Sequence, residues 1–414
     1  MVGYGLYVAF MAAGYYYNVT FVQLGLLDLG TRHVGLSRTG VSWWMAGLAL
    51  LTVVVAIATG VAVDRRGLGR DLHAKLRLLF GVVFVQVLLV AIAPHIRSVA
   101  GFGTWIVVAA IALGVGVPVS FGLTVDLIPA PDRGYVAAAI TAAAYFLANV
   151  YPLDWRIETF SAAMLAAMVP GLVVLGWLAS GRSGLVDALA DQHERFGVGR
   201  FCHPEPVGLR SRTFASLLVL TFAVFFVDSL GFLRIVEEPI LVVSSWGSPA
   251  FGDHLLLAVV HVIGAVVAGV FYRNFRKRTI YLWVFGLFAL SHLLYTLDIQ
   301  LGQLFPTLGG APPVVNPATY AVAVSVYTTL NFALWPDLST PDTIGTHTAV
   351  GVGVSGWLAT FMSTALALRL QEADVGLLSH LNLVNAMALL VFVGLLVAWY
   401  VGNARHHGAG GEAA

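Results

Sequence analysis

GVAVDRRGLGR, residues 60–70, is the stretch on which the reading of this chain turns. Asp64, Arg65, Arg66 and Arg70 stand together in it, yet residues 41–62 before it hold no charge and residues 76–95 after it hold only Arg77. A charged island between two apolar runs of about 20 residues is the pattern of one helix leaving a hydrocarbon layer and the next re-entering it. Gly60 removes a side chain where another helix can then approach closely. Asp64 stands where the second run ends, placed to accept hydrogen bonds from the N-terminus of a neighbouring helix and to meet its positive dipole end.

The rest of the chain repeats this pattern. Of 414 residues 59% are hydrophobic and 10% charged, against roughly 25% charged in soluble domains. This excludes a soluble multi-domain enzyme, a disordered chain and a coiled-coil rod. A net charge of +1 gives no clustered basic face, so no nucleic-acid partner is expected. The single cysteine, Cys202, rules out an internal disulfide and a Cys-rich metal site. Twelve apolar runs appear, near 5–28, 41–62, 76–95, 103–125, 134–153, 159–180, 213–233, 254–272, 279–298, 317–336, 345–368 and 381–402. They are continuous, unlike the alternating strands of a membrane barrel. The first has no basic leader or small-residue cleavage site and is read as a retained helix. With both ends inside, 16 Lys and Arg fall in inner loops and 6 in outer ones, which predicts a multi-pass protein of the cell membrane with cytoplasmic termini.

Residues 181–212 form the longest polar stretch and divide the runs six and six. The expected organisation is a six-helix bundle over 1–180, a cytoplasmic linker over 181–212 with a short helix at 183–196, a second bundle over 213–402 and a loose tail over 403–414. The halves carry matching segments. QLGLLD (23–28) pairs with SLGFLR (229–234), GVAVDRRG (60–67) with GVFYRNFR (269–276), and DLIPAPDRG (126–134) with DLSTPDTIG (337–345). The offsets, 206, 209 and 211, are nearly constant at matching topological places. The fold class predicted is an all-α membrane protein of twelve transmembrane helices in two pseudo-symmetric six-helix bundles.

GVAVDRRGLGR resembles the signature loop between the second and third helices of the major facilitator superfamily. Gly60, Asp64, Arg65 and Gly67 match in place; Leu68 and Gly69 stand where basic residues are usual, and Arg70 follows. PDRG (131–134) is also similar to that superfamily. The resemblance covers the whole chain in topology and about twenty residues in motif. It implies a cytoplasmic latch made of Asp64, Arg65, Asp126 and Arg133, the plain alternative being that these charges only fix orientation. In the second half Arg273 takes the place of Asp64 and Asp337 that of Asp126, so an Arg273–Asp337 pair is expected. The equivalent outer ends of spans one and seven carry Asp28 and Arg234, an expected outer gate pair.

Ionisable groups at membrane depth are candidates for function. Asp228 in span seven is foremost, as a proton carrier or a partner for a cationic group; a carboxylate simply bonded to neighbouring helices is the alternative. His261 and His292 are further candidates, with a buried neutral imidazole bonded to a carbonyl the alternative for both; His261 is favoured because it can titrate near neutrality. Asn18, Gln23, Asn149 and Asn331 offer donors and acceptors. Of Tyr15, Tyr16 and Tyr17, spread round the helix, Tyr17 is taken as the substrate-side residue. AAAITAAA (137–144) and GVGVSG (351–356) supply small residues for close packing between moving bundles.

No phosphate-binding loop, HExxH or Ser/His/Asp cluster occurs, so ATP drive, metal, cofactor and catalysis are not expected. Span four lacks the arginine, and span five the Gly-Pro signature, of the superfamily's drug–proton antiporters. The expected function is a secondary transporter of a small organic solute by alternating access, proton-coupled through Asp228, acting as a monomer in the bilayer. A uniporter, a non-transporting sensor with a transporter fold and, third, a membrane enzyme are the alternatives.

Overall fold

The computed structural model describes residues 2–151, 156–202, 207–243, 245–304 and 313–410, with side chains up to residue 400 except those of Gln23 and Glu237. Twelve long helices run in chain order. They are α1 (2–33), α2 (Arg38–Arg65), α3 (Leu72–Ile92), α4 (99–127), α5 (Arg133–Val150) and α6 (Ile157–Ala179). After a short linker helix α7 (Gly184–Phe196) come α8 (Arg212–Glu237), α9 (Phe251–Asn274), α10 (Lys277–Leu304), α11 (Val315–Asp337), α12 (344–372) and α13 (Leu377–Gly410).

Local chemistry sets several boundaries. Ser37, Asp71, Ser98 and Ser211 each accept a hydrogen bond from the N–H three residues on, and so start α2, α3, α4 and α8. After α2 the chain turns at Gly67, whose φ of +66° is a left-handed value that favours glycine. α1 widens into π-helical turns at Tyr17–Gly25 and Leu29–His33, and α12 does so at Gly353–Leu358. Each such turn shifts the side chains beyond it round the axis.

Among the described residues nine helices are long and apolar enough to cross a membrane by length and composition; α1, α5 and α11 are not among them. Their lower hydropathy has a structural cause. They lie between other helices and carry polar side chains inward, Tyr15 and Asn18 from α1, Tyr145 and Asn149 from α5, Tyr320, Tyr327 and Asn331 from α11. α11 is buried along nearly all its length. The lipid-type surface falls to others, such as Val173 and Trp177 on α6 and Leu390 and Val397 on α13.

The molecule is two six-helix bundles, α1–α6 and α8–α13, packed along two seams. α2 runs against α12 in one, and α9 against α5 in the other, with α11 also touching α5. α2 and α9 are the second helices of their bundles, and α5 and α12 the fifth, so the seams exchange under the internal repeat. Glycine pairs cross both. A Cβ on Gly345 would stand 2.6 Å from the Gly60 carbonyl oxygen, and one on Gly269 would stand 3.0 Å from that of Gly134. These pairs lie in the repeated segments, at offsets 209 and 211. Ala138 packs against Gly269 in the same seam. The end of the bundles beside α7 is termed the linker face, and the opposite end the far face.

Candidate functional site

A cavity of about 970 Å³ lies between the bundles. At mid-depth both halves line it, through Tyr15, Asn18, Tyr145 and Asn149 from the first and Asp228, His261, Tyr327 and Asn331 from the second. Asp228 comes about 24 Å along α8 at 1.5 Å per residue. Its Oδ1 accepts the Tyr320 O–H and its Oδ2 the Tyr327 O–H. The two tyrosines are seven residues apart and so share one face of α11. Among the described residues no Lys, Arg or His forms an ion pair with Asp228.

Beside this carboxylate a polar chain crosses between the halves. The Tyr15 and Tyr145 hydroxyls are 2.9 Å apart, and Tyr145 is 3.2 Å from the Thr328 hydroxyl. The Tyr145 ring lies parallel to the His261 imidazole, centroids 4.5 Å apart, and His261 Nδ1 is 2.8 Å from Ser325 Oγ. Opening the interface at this depth must break the Tyr145–Thr328 bond and the stacking.

The linker face is closed by direct bonds. Asp64 Oδ1 accepts the Gly345 N–H at 2.9 Å and Oδ2 the Thr346 N–H at 2.7 Å. Those are unpaired first-turn donors of α12, where the helix dipole favours an anion. Arg70 grips Asp342 with two guanidinium nitrogens, Nε at 2.6 Å. This bonded guanidinium holds the Asp342 carboxyl below its ordinary value. Arg133, wholly buried, donates to the Pro336 carbonyl at 2.9 Å, Asp337 Oδ1 at 3.0 Å and the Phe201 carbonyl of the linker at 2.9 Å. Tyr272 completes the set by donating to Asp337 Oδ2 at 2.5 Å. No hydrogen bond or ion pair between described residues of the two halves lies at the far face.

The sequence matches no family model and no curated protein. Solved structures do match. The proton:xylose symporter XylE, a major facilitator superfamily protein bound to 6-bromo-6-deoxy-D-glucose, aligns over 95% of this chain and 94% of its own, at 14% identity and a TM-score of 0.62. The human organic anion transporter MFSD10 aligns over 95% and 97%, at 17% identity and 0.62. The E. coli fucose:proton symporter FucP aligns over 96% and 98%, at 13% identity and 0.58. This chain has the major facilitator superfamily fold.

Against that superfamily fold, the signature loop contributes differently from the expectation. Gly60 and Asp64 meet α12 directly, and Gly67 makes the turn. Arg65 is exposed with no ion pair among the described residues; the arginine that reaches across is Arg70, brought round by the turn at Gly67. Asp126 does not contact the second half. It is buried with Lys75, Nζ to Oδ2 2.5 Å, and lies 3.9 Å from His193 Nε2 on α7. This joins α3, α4 and the linker within one bundle. Burial draws the His193 imidazole below its ordinary pKa, with Asp126 opposing.

Two further expectations, the Arg273 pair and Tyr17, are corrected, and the outer pair is not formed in this linker-closed conformer. Arg273 does not pair with Asp337, which Arg133 and Tyr272 already occupy, with Lys277 Nζ 4.0 Å away. Arg273 instead lies over the Tyr135 ring, 5.5 Å from its centroid. Asp28 does not pair with Arg234. Arg32, one turn on, takes both carboxylate oxygens at 2.9 Å, and Oδ2 also accepts the Ile157 N–H that begins α6. Asp28, His33 and Glu158 converge closely enough to hold an ion, but Arg32 bonds both carboxylates. Tyr17 faces away from the cavity and stacks on Phe21 at 5.4 Å; Tyr15 is the cavity residue. The Gln23 side chain lies outside the described residues. His292 bonds the Phe288 carbonyl at 2.8 Å. Tyr320, Tyr327, Lys75 and Arg70 carry contacts that the sequence reading did not assign to them; the spacing of Tyr320, Tyr327 and Asn331 on one helical stripe was the available signal.

Proposed function

We propose that the chain is a secondary transporter that carries a small organic solute across the cell membrane by alternating access. In this reading residues 1–180 and 213–402 move as units about the cavity, the linker face and both termini are cytoplasmic, and Asp228 carries the coupling proton. One observation supports it above the others. The bundles meet through two symmetry-related glycine seams, while the polar bonds between their described residues lie only at mid-depth and at one face. Such an interface can part at that face while the glycine contacts let the helices rock. The symporter and transporter neighbours support the same reading.

The test is a distance measurement between spin labels at Arg66→Cys and Thr340→Cys, in a Cys202→Ser background, in lipid nanodiscs. The reading expects two populations, a short one matching the closed linker face and a longer one, with the balance moved by Asp64→Ala toward the longer. A single short distance in both proteins would overturn alternating access.

A further inference from the structure

We infer that the solute class for this cavity is a monovalent organic cation with an apolar body, held by the Asp228 carboxylate among aromatic rings. This rests on the transporter reading above and names its substrate class.

The first argument is charge. Asp228 lines the cavity and is partly open to it. A carboxylate has about four lone-pair sites. Tyr320 and Tyr327 occupy one on each oxygen, which leaves one on each for a ligand. The phenols supply dipoles but no positive charge. A carboxylate among apolar rings without a counter-charge is costly; the coupling proton or a cationic solute relieves that cost, and the two occupy Asp228 in turn. Among the described residues, the other charges lining the cavity without an ion pair are Arg38, at the far-face start of α2, and Arg200, in the linker, which bonds Gln192. Both sit at the ends, and neither supplies a mid-depth cation for an anionic solute.

The second argument is the wall. Phe225 meets Tyr327 edge-on at 4.8 Å, and Phe232 stacks on Tyr320 at 5.8 Å. Trp246 stands edge-on to both Phe232, at 5.4 Å, and Tyr320, at 6.0 Å. All five rings line the cavity. Rings around a carboxylate suit an alkylated or aryl-bearing cation, which gains from ring faces as well as from the charge. A neutral polyol gains little from these rings. Asn331 Oδ1 already accepts from Trp335 Nε1 at 2.7 Å, and Asn149 Nδ2 already donates to the Tyr145 carbonyl at 2.8 Å. Asn18 Oδ1 and Asn149 Oδ1, on the first bundle's side, remain without a partner among the described residues, whereas the wall beside Asp228 is made of rings. The absent span-four arginine does not bear on this site, which is built on α8 and α11.

The experiment pairs two probes of one shape and opposite charge. Radiolabelled tetraphenylphosphonium is titrated against the purified full chain, with tetraphenylborate and D-xylose as competitors. Saturable tetraphenylphosphonium binding is expected. Asp228→Asn should weaken it at least about tenfold, the loss of one charge-assisted contact, and Asp228→Glu should restore most of it. Phe232→Leu, which keeps the carboxylate, should weaken it about threefold or more through the lost ring face. Binding that is unchanged in Asp228→Asn, or equally strong for tetraphenylborate, overturns the inference. Proteoliposomes separate this result from the reading beneath it. Uptake of D-xylose or benzoate with no tetraphenylphosphonium binding overturns the cation class and leaves the transporter standing. Saturable cation binding, lost in Asp228→Asn, with no counterflow of the bound probe keeps the site and overturns the transporter.

Discussion

Gly60 and Gly345 meet backbone to backbone across the α2–α12 seam, so closely that neither has room for a Cβ. Gly269 and Gly134 repeat the meeting across the α9–α5 seam, and the residues near each pair follow the same plan. Asp64, four beyond Gly60, bonds Thr346, one beyond Gly345. Arg273, four beyond Gly269, lies over Tyr135, one beyond Gly134. The two seams share a geometry and differ in chemistry, a capped helix start on one side and a cation on a ring on the other.

Gly60→Ala is therefore expected to disfavour the linker-closed conformer. The added methyl meets the Gly345 carbonyl and the Ala349 Cβ, and overpacking of this kind costs about 1–3 kcal/mol. A shift of that size changes the balance of two conformers about 5- to 150-fold. Gly356→Ala is the control, since nothing lies within 4 Å of its position. Thiol labelling at Thr340→Cys, in a Cys202→Ser background, should quicken with Gly60→Ala and stay unchanged with Gly356→Ala.

Asp64→Asn keeps the shape of the cap and loses its charge. The amide retains one acceptor for the two N–H groups that Asp64 now satisfies, and it turns a donor toward the other. Loss of a cap costs about 0.5–2 kcal/mol. The expected result is a population shift toward the open linker face in the same spin-label measurement, smaller for Asn than for Ala. No shift in either variant would mean that the bond is incidental to closure.

How much of this was readable in the sequence depended on distance along the chain. The twelve runs, the six-and-six division and the repeated segments are local properties, and the two repeated loop pairs lie at a seam or at its end. Pairings between remote residues were less accessible. Asp126 pairs with Lys75 because the start of α3 and the end of α4 are brought side by side, which no spacing rule encodes. In this linker-closed conformer Arg32 holds Asp28, because a partner one helical turn away needs no closure of the molecule. Tyr15, Tyr16 and Tyr17 spread round the helix, so the sequence does not say which of them faces the cavity, and the π-helical turns from Tyr17 on shift the faces beyond it. The phenols around Asp228 are visible as a stripe on α11, but nothing in the sequence says that the stripe faces α8.

The Arg70–Asp342 pair is exposed on both sides, and its contribution should be screened by salt. The sign of its pH dependence follows from the lowered Asp342 carboxyl. A depressed carboxyl stabilises the closed face above its ordinary pKa, near 3.9 for an aspartate, and that contribution is lost as pH falls through the lowered value. Between pH 5 and 8 the linker-closed population should therefore not respond to this pair. Arg70→Ala should produce a small shift at low ionic strength that disappears at high salt. A salt-independent shift would assign Arg70 a role other than its charge.

Lys75 and Asp126 are a different case, because both are fully buried. Lys75 also donates to the Gly69 carbonyl at 2.7 Å, so it holds the turn that presents Arg70. Removing one member leaves an uncompensated charge, at a cost of about 3–5 kcal/mol, whereas replacing both with apolar residues of similar volume is often nearly neutral. Lys75→Met should thus lower the melting temperature sharply. Lys75→Met with Asp126→Leu should recover most of the loss, a coupling that a double-mutant cycle of thermal unfolding in detergent reads directly. If the two changes simply add, the pair is not acting as one buried unit, and the link from α3 through α4 to His193 on α7 loses its physical basis.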